Sequence, residues 1–126
     1  MSSRSVDRAL TVLADWMARY ERAWASNDPD EIGSLFTNAA LYFTTPFREP
    51  WLGRKAIVEG WLDRKDEAGG WTFEWQPLID TPELAIITGT TAYRDPPEVY
   101  SNLWTLRFED GLCREFTEWW MLHTSE

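Results

Sequence analysis

The residue types best able to do chemistry lie on a strand pattern near the C-terminus. From Leu112 to Leu122, alternation places Leu112, Arg114, Phe116, Glu118, Trp120 and Leu122 on one face. Cys113, Glu115, Thr117, Trp119, Met121 and His123 share the other. The first face is the more apolar, and its single carboxylate, Glu118, sits between Phe116 and Trp120. An apolar setting disfavours the charged form, so it raises the carboxyl pKa and suits it to general acid or base work. Across the two-residue hairpin signal Asp110-Gly111, the matching face carries Tyr100, Asn102, Trp104, Leu106 and Phe108. Asn102 thereby brings an amide, both donor and acceptor, into the aromatic neighbourhood. Tyr20, on a helical stripe near the N-terminus, adds a phenol. Glu118, Tyr20 and Asn102 are the candidate catalytic set, since a carboxyl, a phenol and an amide suffice to orient a carbonyl compound and move one proton. The plainer alternative is that Glu118 only accepts hydrogen bonds from buried Trp or Tyr donors, or from an arginine such as Arg94 or Arg48.

Other chemistries find little support. One histidine and one cysteine cannot build the usual nitrogen-and-sulfur zinc shell, and Asp28, Asp30 and Glu31 are accounted for by helix capping. No metal and no cofactor is therefore expected, nor is any Gly-rich phosphate loop present in the sequence. His123 falls on the face opposite Glu118 and near the end of the chain. Cys113 has no neighbouring Lys or His to hold a thiolate and reads as inert. The mixed charge run Asp63–Glu67 reads as a solvated face.

Composition narrows the partners. Lys+Arg total 12 against 21 Asp+Glu, a net charge of -9 with no basic cluster, which argues against nucleic acid and anionic membrane surfaces. Arg4, Asp7, Arg8 and Asp15 interrupt any secretory apolar run, and no stretch approaches the roughly 20 apolar residues of a membrane span. With a lone cysteine, a reducing cytoplasm is the expected compartment. Nine tryptophans in 126 residues either fill a core or line a concave site. Trp24, Trp61, Trp75, Trp104 and Trp120, with Phe116 beside Glu118, are the ligand-binding candidates.

These side chains need elements to position them. Val6, Leu10, Leu13, Met17, Tyr20 and Trp24 recur at spacings of four and three, the stripe of an amphipathic helix. Asp28 before Pro29, with Glu31 three residues on, starts a second helix expected to run through Phe36. A strand is expected over Ala40–Phe47. A Trp51-Leu52-Gly53 turn then opens a third helix, with Ala56, Ile57, Val58, Trp61 and Leu62 inward, closed by Gly69-Gly70. Strands follow over Trp71–Ile79, Leu84–Arg94, Val99–Glu109 and Leu112–Leu122. Helices early and hairpins late describe an α+β chain, with a curved antiparallel sheet covering helices on one face. The length of 126 residues suits one domain.

This order of elements, from the capped Asp28-Pro29-Asp30-Glu31 helix with Leu35-Phe36 to the closing Arg114-Glu115-Phe116-Thr117-Glu118-Trp119-Trp120, resembles the nuclear transport factor 2-like superfamily. Within it the chain is similar to the SnoaL-like group of small bacterial proteins. The resemblance covers about Val6 to Met121. It implies a cone-shaped, cystatin-like fold, a pocket at one end of the cone, and often a homodimer built on the sheet. The superfamily spans isomerases, cyclases, dehydratases, an epoxide hydrolase and non-catalytic binders, so its fold does not name an activity. Ketosteroid isomerases use a tyrosine, a protonated aspartic acid and an aspartate base. The tyrosine matches Tyr20, eight residues before Asp28. The base position falls on Thr45 before Pro46, a ligand-binding candidate that cannot accept a proton near neutral pH. The acid position falls on Trp104, an indole N–H donor.

Three readings of function follow. One is a cofactor-free acid/base enzyme of isomerase, cyclase or dehydratase type acting on a hydrophobic carbonyl compound. Another is a non-catalytic small-molecule-binding module. The third is a dimerising structural domain whose tryptophans fill the cone, with Trp119 and Met121 on the outer, pairing face of the sheet.

Overall fold

The computed structural model describes residues 11–66 and 69–124. Helix α1 (Val12–Ser26) starts at Thr11, whose Oγ1 accepts from the Ala14 amide at 3.0 Å, and ends at Asn27 in the left-handed region. Its stripe Leu13, Trp16, Met17, Tyr20, Ala23 and Trp24 is buried, as the spacing requires. Val6 and Leu10, expected on the same stripe, lie outside the described residues.

Helix α2 (Pro29–Gly33) is capped by Asp28, whose Oδ1 accepts from Asp30 N at 2.8 Å and Glu31 N at 3.4 Å. The Glu31 carboxylate takes the Ser26 hydroxyl instead of reaching back to the Asp28 amide, which donates to Ser26 Oγ at 3.0 Å. The helix does not continue to Phe36. The Leu35 carbonyl already accepts from Trp16 Nε1 at 2.9 Å and from the Cys113 amide at 2.8 Å, so the chain is committed to the sheet and Phe36 opens a strand. Strand β1 thus covers Phe36–Phe43, earlier than the expected Ala40–Phe47.

Trp51–Leu52 forms a short strand β2 paired with β1, where a turn was expected, and α3 (Arg54–Asp63) ends before Gly69-Gly70. On α3, Ile57 and Trp61 are the buried residues. Strands β3 (Trp71–Asp80), β4 (Leu84–Arg94), β5 (Pro97–Glu109) and β6 (Leu112–Leu122) lie within two residues of expectation. Asp110 and Gly111, with φ of 53° and 80°, make the tight β5–β6 turn.

The six strands form one curved, unclosed sheet in the order β2-β1-β6-β5-β4-β3. Four of the five neighbouring pairs are antiparallel; β1 runs parallel to β6, so the sheet is mixed. A bulge on β6 breaks the expected alternation. Arg107 pairs with Glu115 but Phe108 with Cys113, so Arg114 is the extra residue and is exposed, while Cys113 is buried on the same side as Phe116. Burial pushes the Cys113 thiol up to about 12, consistent with an unreactive sulfur.

Helix α1 runs along the concave side, and its aromatic residues step through the core one turn at a time. Trp16 meets Phe36, Phe108 and Phe116; Tyr20 meets Trp61 and Trp104; Trp24 stacks on Trp71. Among the described residues, no helix is long and apolar enough to cross a membrane.

Candidate functional site

A cavity of about 530 Å³ opens between α1, the stretch after α3 and the concave faces of β4–β6. Its innermost lining is Tyr20, Tyr42, Asn102, Trp104 and Glu118; Trp24, Trp61, Tyr93 and Trp120 stand higher. The strand alternation delivers these groups. Trp104 lies opposite Glu118 in the β5–β6 register, Asn102 opposite Trp120, and Ile87, Gly89 and Thr91 continue the same face onto β4.

Glu118 is enclosed except where it meets the cavity. Burial pushes its carboxyl up to about 7, and the Trp104 and Asn102 donors oppose that rise. Asn102 Nδ2 donates to Glu118 Oε2 at 2.8 Å, and Thr91 Oγ1 donates to Asn102 Oδ1 at 2.7 Å. Trp104 Nε1 is near enough to lower the proton affinity of the carboxyl yet makes no hydrogen bond: it is buried and unpaired.

The Tyr20 and Tyr42 hydroxyls lie 3.2 Å apart. Burial first, and then the neighbouring phenol and the Glu118 charge, hold the Tyr20 phenol well above its ordinary range. Both tyrosines therefore stay protonated. One bond between two hydroxyls uses one proton and leaves a second to donate elsewhere. Higher up, Asp66 Oδ2 accepts from Trp24 Nε1 at 2.9 Å and from the Tyr93 hydroxyl at 3.3 Å. Asn27 accepts from Trp61 Nε1 at 3.2 Å and donates to the Asp66 carbonyl at 3.0 Å, so both wall indoles are held by their N–H groups.

The structure brings Tyr20, Asn102, Glu118, Trp24, Trp61, Trp104 and Trp120 to one cavity. Three candidates lie elsewhere. Phe116 is fully buried, stacked between Tyr42 at 4.3 Å and Tyr20 at 6.0 Å, and supports the floor from behind. Trp75 ties its Nε1 to Glu21 at 3.2 Å, away from the lining. Thr45 is buried with its hydroxyl unpaired, and its neighbour Thr44 reaches the cavity; β1 ends at Phe43, so both threonines lie in the bend beyond the strand. The donor to Glu118 is Asn102, where an arginine such as Arg94 or Arg48 was the alternative. Tyr42, Thr91 and Tyr93 were missed. Alternation along β1 would have given Tyr42 once Phe36 is placed in a strand; the inward face of β4 could be chosen only through its register with β5.

Among the described residues, no three His, Cys, Asp or Glu side chains cluster as a metal site. Away from the charged groups Arg64, Lys65, Asp66, Asp95 and Glu98 of its lining, the cavity combines one carboxyl, Glu118, whose proton affinity burial raises, with neutral hydroxyl and indole donors. The match of residues 17–116 to the SnoaL-like domain decides the family. The chain belongs to the SnoaL-like family. Among curated proteins, none matches it in sequence.

Solved structures share the SnoaL-like fold at low identity. A nuclear transport factor 2-like protein of unknown function from Burkholderia xenovorans superposes with a TM-score of 0.72 at 14% identity, covering 91% of this chain and 87% of that one. An epoxide hydrolase from M. tuberculosis, of the LEH-like type, gives 0.65 at 12% identity over 85% and 80%. A ketosteroid isomerase-like protein from Erwinia carotovora gives 0.60 at 15% identity over 86% and 93%. At these identities the likeness is one of fold.

Proposed function

We propose that the cavity binds a hydrophobic, carbonyl-bearing small molecule and that Glu118 moves a proton on it without a cofactor. One observation carries this reading: a largely buried carboxyl on an aromatic cavity, hydrogen-bonded to the Asn102 amide and pushed up to about 7 by its burial. A base of that affinity removes a proton at neutral pH and returns it as an acid. The spare hydroxyl proton of the Tyr20–Tyr42 pair and the unpaired Trp104 N–H supply donors for the oxygen that gains charge. The reaction class is proton transfer beside a carbonyl, as in an isomerase, cyclase or dehydratase. Isomerase-like and epoxide hydrolase relatives on the same fold support small-molecule chemistry in such a pocket.

Replacing Glu118 by Gln keeps the shape and the Asn102 contact but cannot carry the proton. Glu118→Gln is expected to lower turnover of a hydrophobic carbonyl substrate about 100-fold or more while leaving its dissociation constant nearly unchanged. Turnover at the wild-type rate would overturn the catalytic reading. A non-catalytic binder is the second reading, favoured by the pairwise satisfaction of Tyr20 with Tyr42 and Thr91 with Asn102, which leaves Glu118 as the single carboxyl of the innermost lining.

The same proposal includes a homodimer through the outer sheet face. Trp119 and Met121 project there at 43% and 69% exposure, with Leu103 opposite Trp119. Small-angle scattering should give a dimer for the wild type and a monomer for Trp119→Asp; a monomeric wild type would remove this part.

A further inference from the structure

Asn102 occupies the middle of a chain of side chains crossing three strands. Thr91 on β4 opposes Tyr100, so it is the diagonal neighbour of Asn102; Asn102 opposes Trp120, so Glu118 is its diagonal neighbour on β6. Thr91 is 3% exposed and its hydroxyl donates to Asn102 Oδ1 at 2.7 Å, while Asn102 Nδ2 donates to Glu118 Oε2 at 2.8 Å. An amide has an acceptor end and a donor end, and which one faces a carboxylate decides attraction or repulsion. By occupying Oδ1, the Thr91 hydroxyl turns the donor end to Glu118. Oε2 is then taken, and Oε1 accepts no hydrogen bond among the described residues, with the unpaired Trp104 N–H the other donor near the carboxyl.

We propose that Thr91 is the positioning residue of the site: through Asn102 it fixes the amide with its N–H toward Glu118 and leaves Oε1 as the oxygen that exchanges a proton with the substrate. This rests on the reading of Glu118 as the proton carrier. Among the described residues, Asn102 is the one side chain that links Glu118 to a second strand by hydrogen bonds at both ends of its amide; Trp104 is the other donor beside the carboxyl. Tyr20 from α1, Tyr42 from β1 and Tyr93 from β4 face it as hydroxyls that burial keeps neutral, and Trp104 from β5 has no titrating proton. The charged groups Arg64, Lys65, Asp66, Asp95 and Glu98 stand around the cavity opening rather than on its floor.

The test is a nuclear magnetic resonance titration of the isotope-labelled protein, with no ligand added, following the Glu118 carboxyl carbon and the Asn102 side-chain amide. In the wild type the amide signals should move with the Glu118 midpoint. Thr91→Val keeps the branched shape and removes the donor, which weakens the amide's hold on the carboxylate. The Glu118 midpoint should rise by about one pH unit, and Thr91→Ser should return it to the wild-type value. A folded Thr91→Val with an unchanged midpoint overturns the proposal. Should Thr91→Val not fold, the wild-type amide decides, and an amide indifferent to the Glu118 titration overturns it equally. The outcome is separable from catalysis: full turnover in Glu118→Gln would remove the enzymatic reading, whereas this titration needs no substrate.

Discussion

Trp16 and Trp104 are buried to nearly the same degree, at 0% and 2% exposure, and both pack on Tyr20 and Phe116, yet their polar groups meet different surroundings. The Trp16 indole donates to the Leu35 carbonyl at the point where β1 joins β6, and it packs edge-on against Phe36 and Phe108. Its one polar group is paired. The Trp104 indole stacks on Phe73 at 5.1 Å with its Nε1 unpaired beside Glu118. A buried donor without a partner costs about 1–3 kcal/mol. The closed end of the core therefore avoids that cost, and the cavity end carries it, together with the desolvation of a carboxyl. Polar groups held at such expense around an opening are those a ligand can satisfy.

The contrast predicts unequal responses to substitution. Trp16→Ala should lose about 3–5 kcal/mol of stability in urea unfolding, since it opens a large void and releases the β1–β6 junction. Trp104→Phe removes a group that was never satisfied and should stay within about 1 kcal/mol of the wild type. Equal losses at the two positions would break the comparison.

A pH dependence sharpens it. Burial favours the neutral acid, so the folded chain holds the Glu118 proton more tightly than the unfolded chain. Glu118 thus contributes stability that is complete below its ordinary value of 4.5 and is lost as pH rises through about 7. Glu118→Gln, which never ionises, should be more stable than the wild type above neutral pH by about 3 kcal/mol, with the gap closing toward acid. Thermal unfolding across this range checks it; a constant gap would contradict the raised proton affinity. The smallest expected effect is on Glu118 in Trp104→Phe. Losing a nearby donor should raise the carboxyl midpoint by less than about one pH unit, readable by the same titration.

Much of this contrast was legible in the residue order. Period-2 alternation placed Asn102, Trp104, Glu118 and Trp120 on one face, and the four-and-three stripe placed Tyr20 and Trp24 beneath it. These patterns survive because each is set within one element or one tight turn. What failed depends on distant partners. Ile32, Leu35 and Phe36 have helical spacing, yet Leu35 is claimed by Trp16 and Cys113, which no local pattern announces. The parallel β1–β6 pair joins strands far apart in the chain, and the bulge at Arg114 reverses the faces of Cys113 and Arg114 while leaving Phe116 and Glu118 in phase. Thr45 falls outside the strand because β1 ends at Phe43, and Thr91 stayed hidden because β4 has small or apolar residues on both faces.

The proposed chemistry of the cavity depends on the protonation of one side chain. Following the Glu118 carboxyl carbon of the wild-type protein through a pH titration tests that directly. A midpoint near 7 is expected, and a midpoint at the ordinary 4.5 would show a solvated carboxylate and contradict the acid/base reading of the cavity.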